Sequence, residues 1–245
     1  MDTRTVQALV RFGLGRRGDE ALPSDAGEWL LSQLRGPDPG RVTGQASSSD
    51  GLAAAREDRK TKPPPGKKRV HAILEAGIEA QIGAALMTPA PFRQRLVWFW
   101  TNHFPISVRR EMCIGVAAAY VEEAIRPHVT GTFHDMLVAV MRHPAMLFYL
   151  DNVNSTGPNS RVGKQTGRGL NENLARECLE LHTVSPAGGY TQADVTSLAR
   201  IITGWTVSRQ NDPLGFRFNA AIHEPGSKVV MGQTFPEGEE GGLAA

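Results

Sequence analysis

The fold of this chain is decided by residues 171–183, which run Asn171-Glu172-Asn173-Leu174-Ala175-Arg176-Glu177-Cys178-Leu179-Glu180-Leu181-His182-Thr183. The stretch contains no glycine or proline, so nothing in it interrupts an α-helix. At about 100° per residue, its leucines, alanine and cysteine fall on one face and its charged and amide side chains fall on the other. His182 falls within the apolar face, where a basic side chain must find a polar partner or stay neutral. The stretch therefore predicts a helix that lines a polar site.

The same periodicity recurs along most of the chain and predicts a mainly α fold, an irregular multi-helix domain with a small β-hairpin near the C-terminus. Thr191 and Asp194 have the spacing of a capping box at the start of one helix. The hairpin is predicted from the apolar runs at 216–218 and 229–231. The predicted helices are 3–12, 26–35, 70–87, 92–103, 111–126, 132–142, 144–150, 171–183 and 192–203.

One helical domain over residues 1–245 is the predicted organisation, with residues 36–68 as a mobile insertion or linker within it. Glycine, proline and serine dominate that segment, with the runs 47–49 and 63–65 as landmarks. At the other end, nothing after residue 231 forms an amphipathic element that could cover the helices at 92–103 and 192–203. We therefore expect the domain to be incomplete at its C-terminus, with further chain or another protein covering that face.

Composition and charge exclude several classes of protein. The 245 residues are 40% hydrophobic, which is enough for a core, and the net charge of +2 gives no reason to expect a nucleic-acid partner. Cys113 and Cys178 are the two cysteines, too few for a disulfide framework or a zinc cluster. No apolar run approaches about 18 residues, so no membrane span is expected. A cytoplasmic location is the default expectation because no signal peptide is visible, although an incomplete start would hide an export signal.

Candidate site residues come from the polar helix and from histidines and polar groups elsewhere. An ordinary ladder of surface ion pairs, at spacing i, i+4 and i+8, explains Glu172, Arg176 and Glu180 equally well. Within the functional hypothesis, Glu177 or Glu180 is the acid–base group, and His128 or His182 relays or holds protons. Arg126 and Arg176 bind an anionic part of the ligand. The remaining predicted ligand-binding residues are Asn102, His103, Asp151, Asn173 and His223.

Several blocks of this sequence together resemble the bacterial domain-of-unknown-function family 1800 (DUF1800). They include Asn102-His103-Phe104, Ile125-Arg126-Pro127-His128, Tyr149-Leu150-Asp151-Asn152, residues 171–183 and Thr203-Gly204-Trp205. The resemblance implies little about activity, because the family is named for lacking an assigned one. It does imply that the family domain extends past residue 245. One departure is that His223-Glu224 stands where the family usually has His-Asp, which keeps a carboxylate but lengthens its reach.

No local motif names a reaction or a cofactor. The sequence contains no His-x-x-x-His or Cys-x-x-Cys pair and no phosphate loop, so no metal ligand is assigned and the cofactor is unknown. No serine stands in Gly-x-Ser-x-Gly, so a hydrolase of that kind is unsupported. The leading hypothesis is an enzyme-like domain with an acid–base pocket, hydrolytic in character, where the 171–183 helix meets the segments 102–104 and 126–128. The alternative is a non-catalytic binding or scaffold protein whose polar groups form a structural network.

Overall fold

The computed structural model of the chain describes residues 2–18, 20–64 and 66–245. The mainly α class predicted from the sequence is confirmed. The α-helical segments in these ranges are α1 (Thr3–Gln7), α2 (Ala26–Ser32), α3 (Ser48–Thr61), α4 (Arg69–Met87), α5 (Pro91–His103), α6 (Glu111–Ile114), α7 (Ala117–Tyr120), α8 (Phe133–Arg142), α9 (Pro144–Tyr149), α10 (Arg161–Thr166), α11 (Asn173–Glu177), α12 (Gln192–Ile201) and α13 (Glu239–Ala244).

Shorter helical turns extend or connect these helices. Among the described residues, three such turns are π-helical, with wide i→i+5 hydrogen bonding, at Ala8–Phe12, Val121–Ile125 and Cys178–His182. Three are 3₁₀ turns, at Arg126–His128, Asn152–Asn154 and Pro186–Gly188. Each π-helical turn directly continues an α-helix, namely α1, α7 and α11.

The core is apolar and centres on α9, the π-helical turn 121–125 and α12. Met146, Leu147 and Phe148 of α9 are almost wholly buried. They belong to one continuous cluster with Ile125 and Ile201. Helices of only four to ten residues are not stable alone, so this shared burial holds them in place.

Within the segment 36–68, which the sequence predicts as a mobile insertion or linker, residues 48–61 form helix α3. The serine run does not mark a flexible segment. The hydroxyl of Ser47 accepts the backbone N–H of Asp50, whose carboxylate accepts the N–H of Ser47 in return, and this capping box begins the helix. The buried carboxylate of Asp58 then accepts the N–H groups of Arg69 and Val70, at 3.1 Å each, and so caps the start of α4. Pro65 lies outside the described residues.

Glycine allows α3 to approach the core at van der Waals distance. A Cβ atom on Gly51 would lie 1.8 Å from the carbonyl oxygen of Gly115, just after α6, so only glycine fits at residue 51. Leu52 is 4% exposed and belongs to the main core cluster. Helix α3 therefore packs directly against the core.

Two hairpins replace the single one predicted. Strand β1 (Trp205–Ser208) pairs antiparallel with β2 (Gly215–Phe218), and β3 (Lys228–Val230) pairs with β4 (Gln233–Phe235). The apolar runs at 216–218 and 229–231 thus have different partners. They do not pair with each other because the chain between them turns back into the core at His223 and Glu224, both of which are buried.

Helix α4 is the one described helix with the length and mean hydropathy, 1.2, of a membrane-crossing segment. This corrects the expectation that no stretch approaches that length. One face of α4 packs in the protein, where a Cβ on Gly77 would lie 2.3 Å from the Ala118 side chain. Ile78, Ile82 and Leu86 on its other side are 46–65% exposed.

Candidate functional site

The predicted polar helix is present as α11 and its π-helical continuation. Leu174 and Ala175 are fully buried, and His182 is 3% exposed, so the predicted apolar placement of His182 is confirmed. Leu181, which the α-helical pattern also places on the apolar face, is instead 59% exposed. The reason is the wide turn at 178–182, in which each residue advances by a smaller angle than in an α-helix. The turn keeps His182 in the core and moves Leu181 to the surface.

His182 meets His103 from the end of α5. The Nε2–H of His103 donates to the backbone carbonyl of His182 at 3.0 Å, which leaves Nδ1 of His103 as an acceptor. The two imidazole centroids are 6.3 Å apart, and the ring of Phe104 lies against His182 at 5.1 Å. Burial, and to a lesser extent the nearby His103, lowers the pKa of His182 to about 4. His182 is therefore neutral at pH 7, and its buried Nδ1 has no hydrogen-bond partner among the described residues.

Glu177 and Glu180 lie on the half-buried polar side of the same helix. Neither carboxylate has a hydrogen bond or ion pair with any residue in the described ranges. Burial raises the pKa of Glu177, and the neighbouring charge of Glu180 raises it further. Glu177 therefore holds its proton more readily than an ordinary glutamate does.

Glu172 and Arg176 form a closed surface network with α12 rather than a free binding group. Glu172 accepts from Thr196 at 2.7 Å, from Gln192 at 2.8 Å and from Arg176 at 3.0 Å. The hydrogen bond from Thr196 is the main reason that the pKa of Glu172 is lowered. Arg176 also donates to the amide oxygen of Gln192 at 3.0 Å. The predicted ladder exists only in its first step, because Arg176 turns to α12 and not to Glu180.

Arg126 lies in a buried network of its own. Its Nε donates to Glu122 at 3.0 Å, one terminal nitrogen donates to Asp38 at 3.2 Å, and the other donates to Gln94 at 2.9 Å. The side chain is only 3% exposed. No described contact joins Arg126 to α11, so the structure does not bring the 126–128 segment to the polar helix through this residue.

The other predicted site residues are distributed over the surface. Asp151 has a positive φ of 58° and pairs with Arg110 at 2.7 Å. His128 borders a shallow surface depression together with His134 and Asp135. Asn102 and Asn173 are exposed and have no side-chain hydrogen bond to the described residues. Asn173 lies one turn before Glu177 on α11, whereas no described contact joins Asp151, His128 or Asn102 to Glu177 or Glu180.

His223 and Glu224 are buried, and their hydrogen bonds join loops that are distant in the sequence. His223 donates through Nδ1 to the carbonyl of Thr203 at 2.7 Å and accepts through Nε2 from the N–H of Gly238 at 3.0 Å. Both ring nitrogens are used, as in a neutral imidazole, and burial lowers the pKa. Glu224 accepts from the backbone N–H and the side-chain amide of Asn159, at 2.9 and 2.6 Å. Asn159 was missed from the sequence, because only the fold brings the 151–169 loop to residue 224.

The cysteines and the candidate metal ligands can be placed within the described residues. They contain no group of three histidine, cysteine, aspartate or glutamate side chains placed to hold a metal ion. Burial raises the pKa of Cys113 to about 11 and that of Cys178 to about 12. Both thiols therefore stay protonated at neutral pH and are poor nucleophiles.

An apolar cavity of about 300 Å³ lies on the other side of the polar helix. Cys178 and Leu179 line it from the π-helical turn, and Trp205, Val230 and Leu243 line it from β1, β3 and α13. The indole N–H of Trp205 is buried and lacks a hydrogen-bond partner within the described ranges. Glu177 and Glu180 do not line this cavity.

The molecule is thus a mainly α-helical protein in which two carboxylates without a partner among the described residues lie, with two histidines, near a π-helical turn. A family model described as "Protein of unknown function (DUF1800)" matches residues 7–245, and the chain therefore belongs to that family. This confirms the resemblance noted in the sequence. Neither a curated protein nor a solved structure matches the chain.

Proposed function

We propose that the chain carries an acid–base site, hydrolytic in character, with Glu177 and Glu180 as its reacting groups. The observation that carries the proposal is the state of these two carboxylates, which are partly buried, close together and unpaired. Other carboxylates of this protein, such as Glu172, Glu224 and Asp38, are each held by hydrogen bonds or ion pairs. Perturbed and unpaired ionisable groups are more frequent at functional sites than elsewhere.

The two carboxylates suit a division of roles. Burial, and then the charge of Glu180 three residues further along the helix, raises the pKa of Glu177 and so favours its protonated form. In this proposal Glu177 is the general acid and Glu180, in its ionised form, is the general base that activates water.

The histidines contribute differently from each other. His182 is neutral and buried, and its carbonyl holds the ring of His103, so His182 is a positioning residue. His103 is half-buried and keeps Nδ1 free to accept a proton from a bound molecule. His128 and Arg126 have no part in the proposed site, since their described contacts lie elsewhere.

The second candidate function, a non-catalytic binding or scaffold protein, is favoured by the saturated networks around Arg126 and His223. In both, every nitrogen of the side chain is engaged by protein atoms. Such networks specify how helices and loops pack and leave nothing for a substrate. On this view the unpaired glutamates are solvated surface groups.

The proton affinity of Glu177 is the first quantity to test, because it needs no substrate. We expect a carbon-detected NMR titration to place its midpoint above that of an ordinary glutamate. Glu180→Gln should lower the midpoint, since it removes the repelling charge. A Glu177 midpoint at or below the ordinary value would contradict the proposal.

Activity is the second quantity. Wild-type protein would be assayed against chromogenic carboxylic esters, phosphate esters and glycosides, beside Glu177→Gln, Glu180→Gln and the exposed control Glu79→Gln. We expect one substrate class to be hydrolysed, and each of the first two variants to lose about a hundredfold or more in rate with an unchanged melting temperature. Glu79→Gln should retain full activity. If a hydrolysed substrate loses nothing in Glu177→Gln, or if Glu180→Gln lowers the melting temperature instead, the scaffold alternative is favoured.

A further inference from the structure

We propose a second site, an anion site for a phosphate-sized group, formed by Arg56, Arg59 and Arg209. Arg56 and Arg59 lie one turn apart on α3, and Arg209 follows β1. All three line one small cavity of about 30 Å³. None of these residues belongs to the acid–base site, so this inference stands independently of the proposed function.

The guanidinium groups lack the partners that arginines usually have. Arg209 donates to the thioether sulfur of Met112 at 3.3 Å, a weak acceptor, and to no carboxylate among the described residues. Arg59 has no side-chain hydrogen bond or ion pair within the described ranges. Arg56 donates to the carbonyl of Gln210 at 2.9 Å, which draws it toward the Arg209 loop.

The net charge of the groups around the cavity indicates the charge of the ligand that would bind there. Asp212, 3.6 Å from Arg56, is the one carboxylate paired with the three arginines in the described part of the chain. Its side chain is 77% exposed, so it screens the cluster weakly. Three guanidinium groups against one carboxylate leave two positive charges unbalanced. A phosphate group carries about −1.5 to −2 at pH 7 and matches that excess.

The apolar residues that line the cavity strengthen the attraction between the arginines and an anion. Leu52, Met112 and Phe148 line it from below, and Leu52 and Phe148 are buried. Low-dielectric walls beneath a charged rim increase the field at the mouth. The planar guanidinium fork also suits the oxygens of a tetrahedral anion, which it binds through two parallel hydrogen bonds. The small volume suits one anionic group rather than a whole metabolite.

Neighbouring charges do not fill the site. Lys68 and Glu111, at the edge of the adjoining groove, pair with each other. Asp58 lies in that groove as well, but its carboxylate is engaged by the N–H groups that begin α4. Asp212 therefore remains the one carboxylate that pairs with the arginine cluster among the described residues.

The test uses inorganic phosphate and pyrophosphate, titrated into the full chain at constant ionic strength with chloride as the balancing anion. Calorimetry or a shift in melting temperature would report saturable binding. We expect Arg59→Gln and Arg209→Gln each to weaken binding by about tenfold or more. Arg168→Gln, which removes the same charge from an exposed arginine outside the cluster, should bind as wild type does.

Both arginines of the test are at the surface, so the variants are expected to fold, and circular dichroism would check this. Arg209→Lys gives a second measurement: it keeps the charge but loses the fork, and binding should weaken while the fold is kept. Absence of saturable phosphate binding would overturn the proposal. Equal weakening of phosphate binding by Arg168→Gln would also overturn it. A third refuting result would be that the protein binds a short oligonucleotide but not phosphate, and that Arg59→Gln and Arg209→Gln leave the oligonucleotide binding unchanged.

Discussion

Replacing Arg126 by methionine separates the structural from the ligand-binding interpretation of this residue. Methionine keeps much of the unbranched stem and removes all three nitrogens. The partners left behind are the carboxylates of Glu122 and Asp38, each 10% exposed, and the amide oxygen of Gln94. The substitution therefore removes a positively charged partner from two nearly buried carboxylates.

The size of the effect follows from that burial. Removing one partner of a buried ion pair costs about 3–5 kcal/mol, because the remaining charge is left uncompensated. Asp38 retains Arg93 at 3.7 Å, which places the expected loss near the lower end, about 3 kcal/mol. For a chain of this length, each kcal/mol lowers the melting temperature by about 2–4 °C, so the expected drop is about 6–12 °C.

Arg176→Met is the matched control. Arg176 also forms an ion pair with a glutamate four residues earlier, but their side chains are 41% and 29% exposed. Exposed pairs contribute about 0–1 kcal/mol, so the control should melt within a few degrees of wild type. Urea denaturation and thermal melts of both variants would measure the difference. A loss below about 1 kcal/mol for Arg126→Met would refute the buried-network argument and restore Arg126 as a ligand-binding candidate.

Two further predictions concern packing and pH. Gly51→Ala should destabilise the fold by about 1–3 kcal/mol or more, because its Cβ would meet the backbone of Gly115. The control Gly83→Ala, which has no neighbour within 4 Å, should stabilise the fold by about 0.5–1 kcal/mol. Equal effects of the two substitutions in urea titrations would contradict the close contact at Gly51. The pKa of His182 is lowered from 6.5 to about 4 in the folded state. As the pH falls from 6.5 toward 4, the unfolded chain binds a proton at His182 and the folded protein does not, so the free energy of unfolding is full above pH 6.5 and decreases toward pH 4. That loss amounts to about 3 kcal/mol, and the difference between wild type and His182→Gln in urea stability at pH 7 and pH 4.5 would measure it. A difference that does not change with pH would show that His182 titrates normally.

Sequence patterns correctly predict those features that depend on residues close together in the chain, such as helix caps. The capping box predicted at Thr191 and Asp194 is present, with the hydroxyl and the N3 carboxylate each accepting a backbone N–H. The same spacing occurs at Ser47 and Asp50, and there the serine-rich composition hid it. Composition describes a segment on average, whereas one correctly spaced pair of residues is enough to begin a helix.

Long-range partners could not be predicted in this way. Arg126 meets Asp38, 88 residues earlier in the chain, inside a segment that the sequence presents as a linker. Asn159 meets Glu224 across 65 residues. The free state of Glu177 and Glu180 depends on the same fact, because a carboxylate is unpaired only if the fold brings no donor to it. The residue types in the sequence indicate candidate site residues, and the fold determines which of them are without a protein partner.

The wide turn at 178–182 also has a consequence for how chains of this architecture can vary in length. A π-helical turn holds one residue more than the α-helical turn it replaces. Losing Leu181, the exposed residue of the turn, would restore α-helical geometry and leave the imidazole of His182 facing the core. Losing a residue one turn earlier, such as Ala175, would rotate the rest of the helix by about 100° relative to α5. We therefore expect a one-residue deletion in this helix to be tolerated only between Cys178 and His182.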